Sequence, residues 1–277
     1  MRRGLIITIG MALTTTLTAQ TIDQKTTDAW LITRMAQKYH VAPRPLDKEM
    51  SAAIFSQLLS ALDGGRLIFM AEDIRQLSVY RLALDEEILN RHTAFVTLVA
   101  SLYKQRLTQT DSLIDLVTAR PFDFTLHENL SIAEDTTWSP TRQALRSRIA
   151  KLLKYSVGNS IADDLLDDPR HRPNTKDSLE IEWRRKAAAR MHRSIRRILQ
   201  SPQGIEGIVG NIFCQALASC YDPHTDYFPP DIKAAFESML GNKSLSFGLS
   251  LAEDENGNPV IGKLVAGGPA FQSGNLH

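Results

Sequence analysis

The sequence predicts a mainly α-helical protein that ends in a β-rich segment. From Thr27 to about Ile198 the apolar residues recur at helical spacing, and glycines are few. After Leu245 the pattern changes to short alternating runs separated by glycines. Together the two patterns predict a helical N-terminal domain followed by a smaller β module.

The charges of the chain almost cancel. It has 277 residues, of which 32 are basic and 31 acidic, and its formal net charge is +1. The 43% of hydrophobic residues suffices for an ordinary globular core. Because a balanced chain has no overall field to attract nucleic acid or an anionic membrane, we expect no nucleic-acid partner.

Residues 1–19 have the features of a secretory signal peptide. A pair of arginines precedes the apolar run Leu5–Leu13, and Ala19 is a small residue suited to cleavage. The apolar run is shorter than the roughly 20 residues that span a bilayer. A retained membrane anchor is the alternative, because Leu17 is a poor residue three positions before the cut. We expect an exported protein, periplasmic or envelope-associated.

Apolar stripes assign the first helices to a common core. The first stripe stops before two prolines, the second ends at Gly64-Gly65, and a long helix follows short ones that open at Ala71. A cofactor-binding or membrane-binding surface is the alternative use of these rows, but core packing is favoured. The stripes are Trp30, Leu31, Met35 and Tyr39; Met50, Ile54, Leu58, Leu59 and Leu62; and Phe95, Leu98, Val99, Leu102 and Tyr103.

Two segments interrupt the helical pattern. Ala119–Ser139 contains prolines, aromatic residues and the pair Glu134-Asp135, so we predict a crossover loop, with helices resuming near Pro140. Asp163–Asp177 is polar and contains two prolines. It predicts an exposed linker or mobile loop between two helical blocks.

The helix after this linker is rich in arginine between Arg184 and Arg197. A nucleic-acid site is one interpretation. An apolar stripe on the same helix favours an amphipathic helix whose basic residues form the solvated face. That stripe comprises Trp183, Ala187, Met191, Ile195, Ile198 and Leu199. Ser201-Pro202 then predicts the N-cap and first position of another helix, whose buried face extends from Ile205 to Leu217.

Cys214 and Cys220 are predicted to be buried free thiols. Their spacing matches no zinc pattern, so we expect no metal site. On one helix they would stand about 9 Å apart along the axis, beyond the usual reach of a disulfide. A disulfide stays the alternative if Cys220 lies past the helix end, because an exported chain permits one.

A turn motif, Asp222-Pro223-His224-Thr225, follows this helix. Asp222 and Pro223 suit a type I turn, because the carboxylate can accept a backbone N–H and proline presets the backbone angle. His224 is a candidate catalytic base. Since no nucleophile is near it, a local structural role is favoured.

The β module has two predicted strands, Leu245–Leu251 and Val260–Val265, joined by a turn at Asn256-Gly257. The first strand contains Ser246-Phe247-Gly248-Leu249, which has the form of the loop by which PDZ domains bind the terminal carboxylate of a peptide. A glycine between apolar residues lets consecutive backbone N–H groups converge on the anion while the peptide adds a strand. Phe247, Gly248 and Leu249 are therefore the candidate peptide-binding residues.

The segment Val265–Ala270, followed by Ser273–Leu276, resembles the part of a PDZ domain in which a strand turns through Gly-Pro-Ala into a short helix. In PDZ domains of bacterial proteases this part usually continues to a Gly-Asp pair and another strand. The chain stops at His277. The expectation is a PDZ domain cut after about half of its strands.

The helical body, the Asp222–Thr225 turn and the PDZ half together resemble the C-terminal-processing peptidases, especially the long tail-specific branch. Pro121-Phe122-Asp123-Phe124 in the crossover loop also resembles that branch. In this family a helical scaffold surrounds the protease, and the PDZ domain receives the substrate's C-terminus and gates a serine-lysine dyad. The resemblance implies a signal peptide over 1–19, a helical tail-specific-protease N-terminal domain over 20–230, a truncated PDZ domain over 231–277, and an interdomain turn at Asp222–Thr225.

The resemblance implies that the chain is the scaffold and substrate-recognition part of an exported serine endopeptidase. Its partners would be the C-terminal tails of substrate proteins or peptides, and an envelope adaptor protein. The family's dyad lies beyond the PDZ domain, so we expect no catalytic residue, metal or cofactor; Lys243 and Ser244 are adjacent on an extended segment and point to opposite sides. The alternatives are a non-enzymatic PDZ-type adaptor in the cell envelope and a structural helical protein with an unrelated β tail.

Overall fold

The computed structural model describes residues 22–129, 137–167, 175–229, 232–233, 237, 247–253 and 259–275. These residues form two compact units that divide between Tyr227 and Phe228. The first unit is helical, and the second contains a two-stranded sheet. The predicted mainly α character is thereby confirmed.

The helices of the first unit follow one another with short connections, apart from the crossover loop. They are α1 (22–39), α2 (Lys48–Asp63), α3 (Ala71–Leu77), the 3-10 turn Ser78–Tyr80, α4 (Leu84–Leu89), α5 (Ala94–Thr118), α6 (Arg142–Asp167), α7 (Thr175–Leu199) and α8 (Gly204–Tyr221). Helix α2 packs on α8, and α5 packs on α6, α7 and α8. Helix α5 therefore runs through the middle of the bundle.

An aromatic cluster marks the centre of this core. The ring of Phe95 on α5 lies 6.0 Å from that of Phe213 on α8 and 6.1 Å from that of Phe55 on α2. All three side chains are buried. Aromatic pairs at such separations contribute beyond their buried area, and they tie three helices that are far apart in the chain.

Helix α2 follows its sequence prediction. The side chain of Asp47 caps its start by accepting from the backbone N–H of Met50, and the helix ends at Gly64. The predicted apolar stripes of α2 and α5 point inward, with Leu98 only partly buried.

A buried carboxylate organises the turn after α2. Both oxygens of Asp63 accept backbone hydrogen bonds, from Leu67 and Phe69 at 2.8 Å and from Ile68 at 3.0 Å. Burial raises the pKa of this carboxyl above its ordinary value, whereas the three N–H donors act in the opposite direction. The Asp63 carboxylate thus supplies acceptors for three backbone N–H groups that have no helical partner once the chain turns away from α2.

The predicted core stripe of α1 is wrong for three of its four residues, whereas Trp30 is half-buried. Leu31, Met35 and Tyr39 are more than half exposed. The buried face is formed by Ile22, Lys25, Thr26, Ala29, Thr33 and Ala36. Most of these side chains are short or polar, so they do not form an apolar stripe. The stem of Lys25 packs closely on Gly210 of α8, where an added Cβ atom would lie 2.5 Å from its Cγ.

The linker predicted over Asp163–Asp177 is too long. Helix α6 continues to Asp167 and α7 already begins at Thr175, so residues 168–174 alone lie between them, outside the described residues. The polar composition misled the prediction because polar residues also continue an amphipathic helix on its solvent side. The predicted apolar stripe of α7 is buried or half-buried, as expected.

Helix α8 begins later than predicted. Its first residue is Gly204, with φ +68, and Gln203 at the N-cap makes no side-chain cap. Ser201 instead starts a turn, in which its carbonyl accepts from the N–H of Gly204 at 2.9 Å. Gly204 can adopt its positive φ because it has no Cβ, and this conformation turns the chain from the Ser201 turn into the helix.

The second unit contains an antiparallel pair, β1 (Leu249–Glu253) and β2 (Pro259–Leu264), and a short helix, α9 (Pro269–Gln272). Leu249 pairs with Leu264, and the register shifts between Ser250 and Leu251. Strand β1 begins four residues after the predicted start. The predicted turn at Asn256-Gly257 lies outside the described residues.

Candidate functional site

Gly248 immediately precedes β1 and has φ +71, a conformation that residues with a Cβ rarely adopt. A Cβ atom there would lie 3.0 Å from Cα of Gly268 and 3.2 Å from Cδ of Pro269. Both glycines are therefore required for the two backbones to approach so closely. This contact joins the Phe247–Leu249 motif to the Gly268-Pro269-Ala270 motif.

Two backbone hydrogen bonds hold this contact. The N–H of Val265 donates to the carbonyl of Gly248, and the N–H of Ala270 donates to the carbonyl of Phe247, both at 2.8 Å. Successive carbonyls alternate in direction along a regular strand. Here the positive φ of Gly248 turns two successive carbonyls toward the same segment, 265–270.

The directions of the N–H groups in this loop follow from the directions of these carbonyls. In a trans peptide unit the C=O of one residue and the N–H of the next point in opposite directions. The N–H groups of Gly248 and Leu249 therefore point away from segment 265–270. Apolar side chains are exposed in the same unit: Phe247 by 81%, Leu251 by 70% and Phe271 by 55%.

The segment Asp222–Thr225 forms a turn after α8. The carbonyl of Asp222 accepts from the N–H of Thr225 at 3.0 Å, and its carboxylate accepts from the N–H of His224 at 3.2 Å. The side chain of His224 is exposed. His40, after α1, contacts this turn instead, with Nε2 3.2 Å from Oγ1 of Thr225.

A polar cluster ties Tyr227 to the first and last helices of the bundle. The Tyr227 hydroxyl lies 3.0 Å from Nζ of Lys25 and 2.7 Å from a carboxylate oxygen of Asp28. The N–H of Tyr227 also donates to the side chain of Gln215 on α8 at 2.8 Å. Sequence reasoning missed this cluster, because no local pattern links Lys25 with a tyrosine 202 residues later.

Arg44 adds a further tie at the end of α8, where its guanidinium donates to the carbonyl of Cys220 at 2.9 Å. A cation at this position is favourable because the last carbonyls of a helix carry partial negative charge. The turn and Tyr227 thus belong to one bonded network with α1, α8 and the connection after α1.

Cys214 and Cys220 are both buried and free, as predicted. Burial raises the pKa of the Cys214 thiol to about 12, and the nearby carboxylate of Asp28 adds to the effect. Burial also raises the pKa of the Cys220 thiol. Since the thiolate is the reactive form, these thiols are not nucleophiles at neutral pH.

The crossover-loop motif carries a local turn of its own. The Asp123 carboxylate accepts from the backbone N–H of Thr125 at 2.9 Å and from its hydroxyl at 2.6 Å, and these bonds lower the pKa of Asp123. Phe122 packs against the core, while Phe124 is partly exposed over a groove of about 820 Å³ between the loop, α6 and α7.

Several other sequence-derived candidates lie outside the described residues, namely the signal peptide over 1–19, Lys243, Ser244 and Ser246. In the described part of the chain, no group of three His, Cys, Asp or Glu side chains is placed to hold a metal ion. Nor does any helix there combine the length and apolarity needed to cross a membrane.

The fold and the site define a helical scaffold domain followed by a small β unit that carries a glycine loop. The family model of the tail-specific protease N-terminal domain matches residues 31–231, and the chain belongs to this family. The resemblance drawn from the sequence is thus confirmed for the N-terminal region of tail-specific proteases.

A curated relative extends the match toward the C-terminus. Over 247 residues the chain is 27% identical to the tail-specific protease of Haemophilus influenzae. The aligned region covers 88% of this chain and 33% of that protein. The chain therefore spans about one third of the length of the curated relative it matches.

Proposed function

We propose that the chain is the N-terminal scaffold and substrate-recognition part of an exported carboxy-terminal-processing serine endopeptidase. Membership of the tail-specific protease N-terminal domain family supports the scaffold role. In this proposal residues 231–277, within the second unit, are the first half of a PDZ domain. The catalytic serine and lysine belong to sequence outside this chain.

The observation that carries the recognition role is the contact between Gly248 and Gly268. It turns the carbonyls of Phe247 and Gly248 inward, so the N–H groups of Gly248 and Leu249 point to the other side of the loop. Successive N–H groups on one side of a backbone attract anions. The proposed ligand is the terminal carboxylate of a substrate protein, whose chain would add a strand beside β1.

The turn Asp222–Thr225 is proposed to be the interdomain turn at the end of the scaffold. Its hydrogen bond with His40, and those of Tyr227 with Lys25 and Asp28, tie this end of the scaffold to the helical unit.

A pair of glycine substitutions tests the recognition role. Gly248 and Gly274 both have positive φ, but an added Cβ meets Gly268 at the first and no atom within 4 Å at the second. A fluorescent peptide with a free apolar C-terminus should bind the full chain, and the same peptide with an amidated C-terminus should not. Gly248→Ala should weaken binding roughly tenfold relative to Gly274→Ala.

Equal binding of the free and amidated peptides would contradict carboxylate recognition. Equal effects of the two substitutions would contradict the role of the Gly248 loop. The endopeptidase assignment is tested separately, by translating the genomic sequence in frame past the codon for His277. A serine and a lysine at the family's spacing would support it, whereas an immediate stop codon would favour the peptide-binding adaptor.

Export has its own test. The protein recovered from the periplasm of an expressing cell should begin at Gln20 when its N-terminus is sequenced. A protein that keeps residues 1–19 would contradict signal-peptide removal and favour a retained anchor.

A further inference from the structure

Helix α7 carries a row of arginines on its solvent-facing side. Arg185, Arg190, Arg196 and Arg197 are exposed, and Arg193 is partly exposed. At 3.6 residues per turn these five positions fall within an arc of about 140° and extend for about 18 Å along the helix. We refer to these five residues as the arginine strip.

Other cations of α7 behave differently. Arg184 lies 2.9 Å from Glu180 and is largely buried, and Lys186 lies 2.8 Å from Glu182. Each pairs with the acid one helical turn earlier. Among the described residues, no carboxylate lies within ion-pair distance of Arg185, Arg193 or Arg196. Helix α7 thus has two kinds of cation: Arg184 and Lys186 pair with its own acids, whereas Arg185, Arg193 and Arg196 have no acidic partner in the part of the chain that the structure describes.

Repulsion among the cations of this helix lowers its stability. Arg193 and Arg197 stand four residues apart, as do Lys186 and Arg190, and like charges at this spacing destabilise a helix. The helix dipole favours cations in the last turn, which accounts for Arg196 and Arg197. It does not account for Arg185, Arg190 and Arg193, which lie one to three turns earlier.

Carboxylates border the strip on both sides. On one side His192 contacts Asp111 and Asp115 of α5, at 2.6 and 3.1 Å, and Asp115 is 74% exposed. On the other side Trp183 donates to Asp164 of α6. The cationic surface is therefore about one helix wide. A flat anionic bilayer would bring its phosphates against these carboxylates, whereas a single polypeptide segment fits between them.

We propose that the arginine strip binds an acidic polypeptide segment of a partner protein. Arginine suits this ligand, because its planar guanidinium can hold a carboxylate with two parallel hydrogen bonds. The charge of the chain as a whole is nearly balanced, so the attraction is confined to this face. The inference depends on the geometry of α7 and is independent of the proposed peptidase function.

The test is fluorescence anisotropy with a labelled peptide of about ten glutamates, which spans the strip in extended form at roughly 3.3 Å per residue. The variant Arg185→Gln/Arg193→Gln/Arg196→Gln should bind the peptide about tenfold more weakly than the full wild-type chain. A matched control, Arg34→Gln/Arg81→Gln/Arg142→Gln, removes the same charge from exposed arginines on other elements. It should bind like the wild type.

Equal losses in both triple variants would overturn the proposal, because net charge rather than the strip would then decide binding. Binding to phosphatidylglycerol vesicles or to a single-stranded oligonucleotide that exceeds peptide binding and is lost in the strip variant would also overturn it. In that case the ligand is a lipid surface or a nucleic acid. Circular dichroism of each variant checks that the exposed substitutions leave the bundle folded.

Discussion

The hydroxyl of Tyr227 donates a 2.7 Å hydrogen bond to Asp28, which lies 199 residues earlier in the chain. Lys25 completes the cluster, with its Nζ atom 3.0 Å from the same hydroxyl. The bond closes the helical unit on itself, because it joins the first helix to the residue at which that unit ends. Its removal should therefore be felt by the whole bundle.

Tyr227→Phe should lower the free energy of unfolding by about 1.5–3 kcal/mol, the range for hydrogen bonds to charged groups. The substitution keeps the ring and leaves Lys25 and Asp28 without the hydroxyl. Urea denaturation followed by circular dichroism measures the change. Tyr155→Phe is the control, because Tyr155 is 53% exposed and should tolerate the loss of its hydroxyl. Equal urea midpoints for the two variants would contradict a stabilising cluster.

Gly210→Ala should lower stability, whereas Gly158→Ala should leave it unchanged or raise it. Alanine favours a helix over glycine by about 1 kcal/mol. At Gly210 the added Cβ would lie 2.5 Å from Cγ of the buried Lys25, and overpacking of this kind costs about 1–3 kcal/mol. At Gly158 it would lie 3.2 Å from the ring edge of Phe124, which is half exposed and can move.

Thermal unfolding of the two alanine variants distinguishes these cases. We expect a lower midpoint for Gly210→Ala and an equal or higher midpoint for Gly158→Ala. A raised midpoint for Gly210→Ala would mean that α1 can move away from α8 without loss, and the close approach of the two helices would not be required.

Asp63→Asn should remove part of the pH dependence of stability. Burial raises the pKa of Asp63 above its ordinary value of 3.8. Between these two pKa values the folded chain binds a proton more readily than the unfolded chain, so this group's contribution to stability falls as pH rises through that interval. Asparagine does not titrate. It also has one acceptor oxygen for three N–H donors, and should cost about 1–3 kcal/mol.

Urea midpoints of the wild type and the variant at several pH values, from about 2 upward so that the interval below the ordinary carboxyl pKa is included, check the Asp63 prediction. Asp123→Asn provides a control of opposite sign. Hydrogen bonds from Thr125 lower the pKa of Asp123, so its contribution is present above the ordinary pKa and is lost as pH falls through the lowered one. Parallel pH profiles for wild type and Asp63→Asn would contradict the assignment.

Native protein should react with a thiol reagent only after unfolding. Cys214 and Cys220 are buried, and the pKa of Cys214 is raised to about 12, so neither presents a thiolate at pH 8. Titration with Ellman's reagent should find no rapidly reacting thiol in the folded chain and both thiols in denaturant. Fewer than two thiols under non-reducing denaturation would indicate a disulfide and contradict the free-thiol structure.

Periodicity predicted the helices whose buried faces are built from large apolar residues. Met50, Ile54 and Leu58 on α2 are enclosed by α8, so their spacing alone identified the inner face. The same rule failed for α1. There the inner face contains Ala29, Thr33 and Ala36, which do not stand out as an apolar stripe, so the packing of α1 in the folded unit decided which face is buried.

Some features of the candidate site could also be recognised from the sequence, and others could not. The glycine at position 248 and the Gly268-Pro269 pair could be recognised from the sequence, because backbone angles and turns are local properties. Their close approach, which leaves little room for a Cβ atom on Gly248, could not be recognised, since it joins residues on either side of a strand pair. The interest of Asp222–Thr225 was also recognisable, whereas the role of His40 beside it was not.

The amino-acid sequence by itself determined the helical class, the positions of most helices, the two strands and the motifs that identify the family, because each depends on residues within a few turns or bonds of one another. Tertiary structure alone decided which face of α1 is buried, how Lys25 and Asp28 meet Tyr227, and how His192 of α7 meets Asp111 of α5. These features depend on distances between side chains that the chain brings together only when it folds.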